Sequence, residues 1–169
     1  MKNLPIAIIG GGPVGLAAAA HLLERGERPI LFEAGESIGA NVLDWAHVRM
    51  FSPWEFNVDA ASVRLLEAAG WLMPPPDELP TGAELVRRYL QPLAAMPAMR
   101  AIIRTGTRVV HVSRRNHDKV KDGDRERAPF QLHLINDGVE ELVEARAVID
   151  ASGAWHNPNP LGTNGAPAI

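Results

Sequence analysis

The chain reads as an α/β protein built on a parallel sheet, with a glycine turn after its first strand and a three-stranded antiparallel meander before its last. Three observations predict this. An apolar run, Ile6 to Ile9, leads directly into Gly10-x-Gly12-x-x-Gly15 and a helical pattern. A second apolar run, Pro29 to Phe32, follows that helix and ends in Glu33. From 107 to 145 three strand-like runs succeed one another with only turns or loops between them, before 147 to 151 returns to the pattern of a buried strand.

The first strand has no polar alternation, as suits a strand covered on both faces. Gly10 permits the tight turn that leaves it, and Gly12 presents no side chain to an approaching diphosphate. Gly15 lets the next helix lie close to the strand. Pro13 falls near the helix start, where a missing N–H costs little. The helix is predicted from about Pro13 to Arg25, with its free N–H groups and positive dipole end toward the turn. Ala17 to Ala20 form a small-residue face for the sheet, and Gly26 is the expected left-handed cap. Glu33, at the carboxyl end of the second strand, can accept hydrogen bonds from a ribose 2′,3′-hydroxyl pair and would repel a 2′-phosphate. Strand, glycine turn, helix and acid together fit a dinucleotide. A ligand-free structural turn would have no need of the acid. A secretory signal is disfavoured by four glycines and two prolines in the stretch, and by His21, Glu24 and Arg25 at its end.

Residues 34 to 60 read as irregular, broken by Gly35, Gly39 and Pro53. A short amphipathic helix is predicted over 62 to 69, capped by Ser62 and stopped by Gly70. Pro74-Pro75-Pro76 is a stiff extended stretch. Thr81-x-x-Glu84 is a capping box that opens a helix with Leu85, Val86, Tyr89, Leu90 and Leu93 on one side, bent or ended by Pro92. A brief strand is expected at 101 to 104. The meander strands are 107 to 113, 129 to 135 and 139 to 145, the last two joined by the hairpin signal Asn136-Asp137-Gly138. The mixed-charge run His117 to Arg127 reads as a solvated loop. Ser152-Gly153 leaves the last strand at the carboxyl edge, where small residues let a ligand reach the backbone.

At 169 residues and 46% hydrophobic content the chain fits one domain with a real core. A helical insertion is expected at about 40 to 100 and the meander at about 107 to 145. Seventeen basic against 20 acidic residues, net charge −3, gives no basic excess for nucleic acid, and no apolar run is long enough for a membrane span. The absence of cysteine rules out a disulfide, a thiolate metal site and a CxxC redox pair within the chain. It is compatible with the cytoplasmic location expected here.

These motifs together resemble the flavin-dependent pyridine-nucleotide oxidoreductases, in their flavin-containing monooxygenase-like branch. The fingerprint Gly10-x-Gly12-x-x-Gly15-x-x-x-Ala19, with Gly26 and Glu33, resembles that family's FAD site, and AVIDASGAW resembles its Ala-Thr-Gly signature with Ser152 in place of threonine. The wider sequence, including LDWAHVRMFSPW, is similar to bacterial FAD-dependent oxidoreductases. The resemblance implies a Rossmann-like FAD-binding domain over 1–169, and NAD(P)H as the reductant of a full-length parent. It implies a small-molecule substrate. It further implies that Gly10, Gly12, Pro13, Val14 and Gly15 meet the FAD diphosphate, that Glu33 holds the adenosine ribose and that Val109 offers backbone groups to the adenine. Ala151, Ser152 and Gly153 would close over the cofactor. Gly39 matches the first half of the family's Gly-Gly pair and Ala40 departs from the second, which leaves the place of Asn41 and Val42 beside the flavin open. A second fold for NADPH is expected after the Ala-Thr-Gly strand, and the chain ends at Ile169, so it is expected to be an N-terminal portion, or a truncated gene product, of a longer flavoenzyme.

Two other functions share the fingerprint. A domain of the NAD-dependent dehydrogenase type would use the same turn, but would continue with βα units where the meander stands. A catalytically inactive dinucleotide-binding fragment is the other. No catalytic side chain stands out. His47, His111, His133 and His156 show no ligand spacing and read as surface or core histidines, with no metal site among them. Arg49 is expected to pair with an exposed acid. Trp45, Trp54 and Trp155 are expected to cover the core rather than stack on a flavin. Ser152 lacks the G-x-S-x-G elbow of a nucleophile.

Overall fold

The computed structural model describes residues 3–118, 120, 123–156 and 160. Four short strands form a parallel sheet in the order β3 (Ile103–Arg104), β2 (Pro29–Phe32), β1 (Ile6–Ile9), β7 (Ala147–Asp150). β4 (Thr107–Arg114), β5 (Phe130–Asn136) and β6 (Val139–Ala145) form a separate antiparallel sheet in chain order. The α/β class, the parallel sheet and the meander thus stand as expected.

Strand alternation explains how the layers stack. Ile8 and Leu31 point to one face and pack in a core with Leu16 and Ala19 of α1 (Pro13–Glu24) and with Trp54, Leu66 and Tyr89 of the helical region. Their neighbours Ala7 and Phe32 point the other way and meet Leu132 and Leu134 of β5 and Ala145 of β6. The parallel sheet is therefore covered by helices on one face and by the meander on the other. This is why its strands carry no polar alternation. Two-residue hairpin chemistry joins β5 and β6: Asp137 and Gly138 both have positive φ, 48° and 78°. Arg104 forks onto Glu141 at 3.2 and 2.6 Å and ties β3 to β6.

The helices between β2 and β3 are short: α2 (Ala40–Leu43), α3 (Trp54–Asn57), α4 (Ala60–Glu67), α5 (Gly82–Leu85), α6 (Gln91–Ala95) and α7 (Pro97–Arg100). Thr81 and Glu84 form the expected capping box of α5. Leu85, Val86, Tyr89, Leu90 and Leu93 are all buried, as their spacing predicts. Pro92 does not end the helix. A π-helical turn, Val86–Leu90, joins α5 to α6 and the helix runs on to Ala95. Pro92 has no N–H for the Arg88 carbonyl four residues back, and that carbonyl accepts the Trp71 indole N–H at 2.8 Å.

The cap of α4 also differs from expectation. Asp59, not Ser62, is the N-cap: its Oδ2 accepts the Ser62 amide at 2.9 Å and the Ser62 hydroxyl at 3.1 Å. Serine and aspartate are both good caps, and the tertiary contacts decide between them. Asp59 Oδ1 lies 2.9 Å from His21 Nε2 on α1, and the Asp59 amide donates to the Tyr89 hydroxyl at 2.9 Å. Burial pulls the Asp59 carboxyl up, yet the bonds from Ser62 and His21 outweigh this and leave it below the usual carboxylate value. A depressed carboxylate stabilises the fold above its unfolded value, and that contribution disappears as pH falls through the folded value. Asp59→Ala is therefore expected to lose about 1–2 kcal/mol at neutral pH, with a difference from wild type that shrinks toward strongly acidic pH. Denaturant melts across a pH series check this; a constant difference at every pH would contradict it.

Of the charged loop from His117 to Arg127, Arg125–Arg127 forms a single 3-10 turn, and 119, 121 and 122 lie outside the described residues. Most of the proline-rich tail after His156 also lies outside them. Among the described residues no helix is long and apolar enough to cross a membrane.

Candidate functional site

The groove begins at the turn from β1 to α1. The Gly10 amide donates to the Phe32 carbonyl at 2.8 Å and the residue has φ of +103°; a Cβ there would lie 2.5 Å from the Ala151 carbonyl oxygen. A Cβ on Gly15 would lie 1.9 Å from the Gly10 carbonyl oxygen, so the helix approaches its own incoming strand at a distance only glycine permits. Gly12 differs from both: a Cβ there would meet nothing within 4 Å. It opens onto free space at the helix start. α1 starts at Pro13 with no side-chain cap on Gly12. The first-turn amides of Val14 and Gly15 therefore have no partner within the helix and suit an anion.

Glu33 completes the mouth. Its Oε2 accepts the Gly11 amide at 2.6 Å and its Oε1 accepts the Gly35 amide at 2.7 Å. Its own backbone is tied on both sides, with its amide donating to Arg104 and its carbonyl accepting the Thr107 amide, at 2.9 and 2.8 Å. Each carboxylate oxygen retains acceptor capacity for a ligand hydroxyl. The acid therefore stands where the fingerprint requires it, against the glycine turn.

Two adjoining clefts, of about 440 Å³ and about 230 Å³, run along the carboxyl edge of the sheet. Gly10, Glu33, Ser152 and Gly153 line both. Gly12, Pro13, Val14 and Ala151 line the smaller, and Val109 the larger. Gly15 lines neither, because it is buried against Gly10. Asn41 and Val42, whose place the imperfect Gly39-Ala40 pair left open, line the smaller cleft. Gly39 is the N-cap of α2 and its amide donates to the Gly11 carbonyl at 3.1 Å, which holds α2 beside the turn.

The segment after β7 crosses toward α2. Asp150 Oδ1 accepts the Ser152 hydroxyl at 2.7 Å and its amide at 3.0 Å, bonds that draw the Asp150 carboxyl below its usual value and shape the small-residue turn. Trp155 Nε1 donates to Asp44 Oδ2 at 2.7 Å, and His156 Nε2 lies 3.0 Å from Asn41 Oδ1. Trp155 is thus a groove residue, 51% exposed, and not the core cover expected of it. Trp54 is core, 1% exposed, and Trp45 packs its ring on Gly82. Arg49 donates to the Leu79 carbonyl at 2.6 Å, and its charge adds to the Thr81 hydrogen bonds that hold the Glu84 carboxyl below its usual value. Gly11, which holds the Glu33 carboxylate through its amide, and the groove residues Asp44 and Arg108 are features that sequence reasoning passed over. The unbroken Gly10-Gly11-Gly12 run was the available signal for Gly11. Asp44 meets a partner 111 positions away, for which no local pattern exists.

Residues 8–69 match the family of NAD(P)-binding Rossmann-like domains. The fold is Rossmann-like. Over 97 residues this Rossmann-like chain is 32% identical to the dual trans-enoyl reductase/FAD-dependent monooxygenase tazHJ of Aspergillus terreus, a match that covers 53% of the chain and 14% of that protein. It superposes on OTEMO crystallised with FAD and NADP with a TM-score of 0.64 at 22% identity, over 90% of this chain and 26% of that one. On bacillithiol disulfide reductase Bdr from Bacillus cereus the TM-score is 0.61 at 25% identity, over 95% of this chain and 42% of that one. The chain spans less than half the length of each of these proteins. It resembles, in sequence and in fold, part of the flavin-dependent monooxygenases and reductases.

Proposed function

We propose that this chain is the FAD-binding portion of a flavin-dependent, monooxygenase-like oxidoreductase, one that takes electrons from NAD(P)H and acts on a small-molecule substrate. The observation that carries the proposal is the Glu33 carboxylate, 2.6 Å from the Gly11 amide at the mouth of the glycine turn, beside an uncapped helix start. The residues present fit FAD on three counts. Gly12 leaves space for the diphosphate, the Val14 and Gly15 amides are available to it, and Glu33 can accept from the ribose hydroxyls. In this reading Gly10 and Pro13 line the diphosphate path, and Val109, on the edge strand of the meander, offers its backbone to the adenine. Ala151, Ser152 and Gly153 form the opposite wall. The flavin, when bound, supplies the redox chemistry; the chain binds it, orients it and limits its contact with water. A cytoplasmic site of action belongs to the same proposal and accords with a chain that has no cysteine.

The antiparallel meander between β3 and β7 favours this reading over a dehydrogenase-type NAD domain, which would continue with βα units. Titration of the purified chain with FAD, FMN and NAD in parallel tests it. FAD should bind with a shifted flavin absorbance and altered fluorescence. FMN, which lacks the AMP half, should bind at least ~10-fold more weakly, on the order of one lost charge-assisted hydrogen bond. Protein that shows no flavin signal after excess FAD, or that prefers NAD, would defeat the proposal.

A further inference from the structure

We propose that Arg108 lays its guanidinium on the adenine ring of the bound dinucleotide and so discriminates FAD from flavins without the AMP half. The inference rests on the FAD reading above. With the diphosphate at Gly12 and the ribose at Glu33, the base extends past Glu33 into the far end of the larger cleft. The residues there are Ala34, Gly35, Thr107, Arg108 and Val109. One side of this end is nearly bare, since Ala34 contributes a methyl group and Gly35 nothing. Backbone bonds tie the start of β4 to this segment: Gly106 and Thr107 donate to the Gly35 and Glu33 carbonyls at 2.9 and 2.8 Å. Thr107 is 1% exposed, and Asn136 Nδ2 donates to its hydroxyl at 2.9 Å. The strand start that carries Arg108 is therefore rigid and close to the ribose site.

Arg108 itself is exposed and lines the cleft. Among the described residues its side chain has no hydrogen bond, ion pair or ring contact. The arginines around it are employed otherwise. Arg104 forks onto Glu141, and Arg114 lies 3.7 Å over the Phe130 ring. A planar, weakly hydrated cation without a partner, at the rim of a cleft that Ala34 and Gly35 leave uncrowded, suits the face of a purine. The carboxylate of Glu33 at the ribose argues against the other use of such an arginine, a grip on a 2′-phosphate.

The test is titration of the full chain and its R108A and R108K variants with FAD, FMN, ADP-ribose and 2′-phospho-ADP-ribose. R108A should weaken FAD and ADP-ribose by the same factor, about 3- to 30-fold, with R108K between it and wild type. FMN should be unaffected, and so should the thermal midpoint, because Arg108 supports no other residue. Unchanged FAD binding in R108A would overturn the assignment while leaving the FAD reading intact. Equal loss of FMN would also overturn it. So would a wild-type preference for 2′-phospho-ADP-ribose that R108A abolishes, since that would make Arg108 a phosphate ligand. If wild type binds no FAD, both the reading and the inference fall.

Discussion

Gly15→Ala should abolish or severely destabilise the fold, and it should do so whether or not a ligand is bound. The added Cβ would stand 1.9 Å from the Gly10 carbonyl oxygen, a backbone atom that cannot rotate aside. Either α1 moves off the sheet or the turn opens. Moving α1 disturbs Leu16, Ala19 and Ala20, all 0% exposed. Overpacking of this kind costs about 1–3 kcal/mol and more where backbone must shift. For a domain of this size about 3 kcal/mol corresponds to roughly 10 °C in melting temperature. The G15A variant is thus expected to melt at least about 10 °C below wild type, or to be recovered only as aggregate. Gly12→Ala is the informative companion, because its Cβ meets nothing within 4 Å. It should melt with wild type and lose FAD, since the methyl group occupies the diphosphate path. A G15A protein with wild-type stability would mean that strand and helix are not in contact at this turn.

Glu33→Ala should weaken FAD by about 10- to 100-fold, the range of one or two charge-assisted hydrogen bonds to the ribose. Glu33→Gln should fall between the two, because an amide oxygen still accepts but carries no charge. The carboxylate also receives the Gly11 and Gly35 amides, so its removal loosens both loops at the mouth. Melting curves without ligand separate this structural part from the binding part. FAD affinity within twofold of wild type in E33A would remove the acid from the cofactor site. An unchanged affinity for FMN alongside a large loss for FAD would support its place at the adenosine ribose.

Much of this architecture can be traced to short stretches of sequence. β1, α1 and β2 follow from two apolar runs and the glycines between them. The capping box at Thr81 and the hairpin at Asp137-Gly138 follow from residues at most three positions apart. The readings that changed are those in which neighbours distant in sequence compete. Asp59 displaces Ser62 as a cap because His21 and Tyr89 anchor it from other elements. Pro92 is carried within a helix because a π turn adjusts the backbone and the Trp71 indole takes up the Arg88 carbonyl. Trp155 leaves the core because Asp44 offers its indole N–H a partner at the rim.

The candidate site divides along the same line. The glycine turn and the acid at its mouth were legible as a linear pattern, since a nucleotide diphosphate and its ribose are met within one βαβ unit. Local φ/ψ requirements and side-chain size suffice to state that pattern. The far end of the groove joins 34 to 35 with 107 to 109, and its outer rim joins 41 to 44 with 155 to 156. Those meetings depend on how the meander and the helical segment pack against opposite faces of the sheet. Packing of that kind sums many weak, non-directional contacts over the whole chain, and no short stretch of residues encodes it.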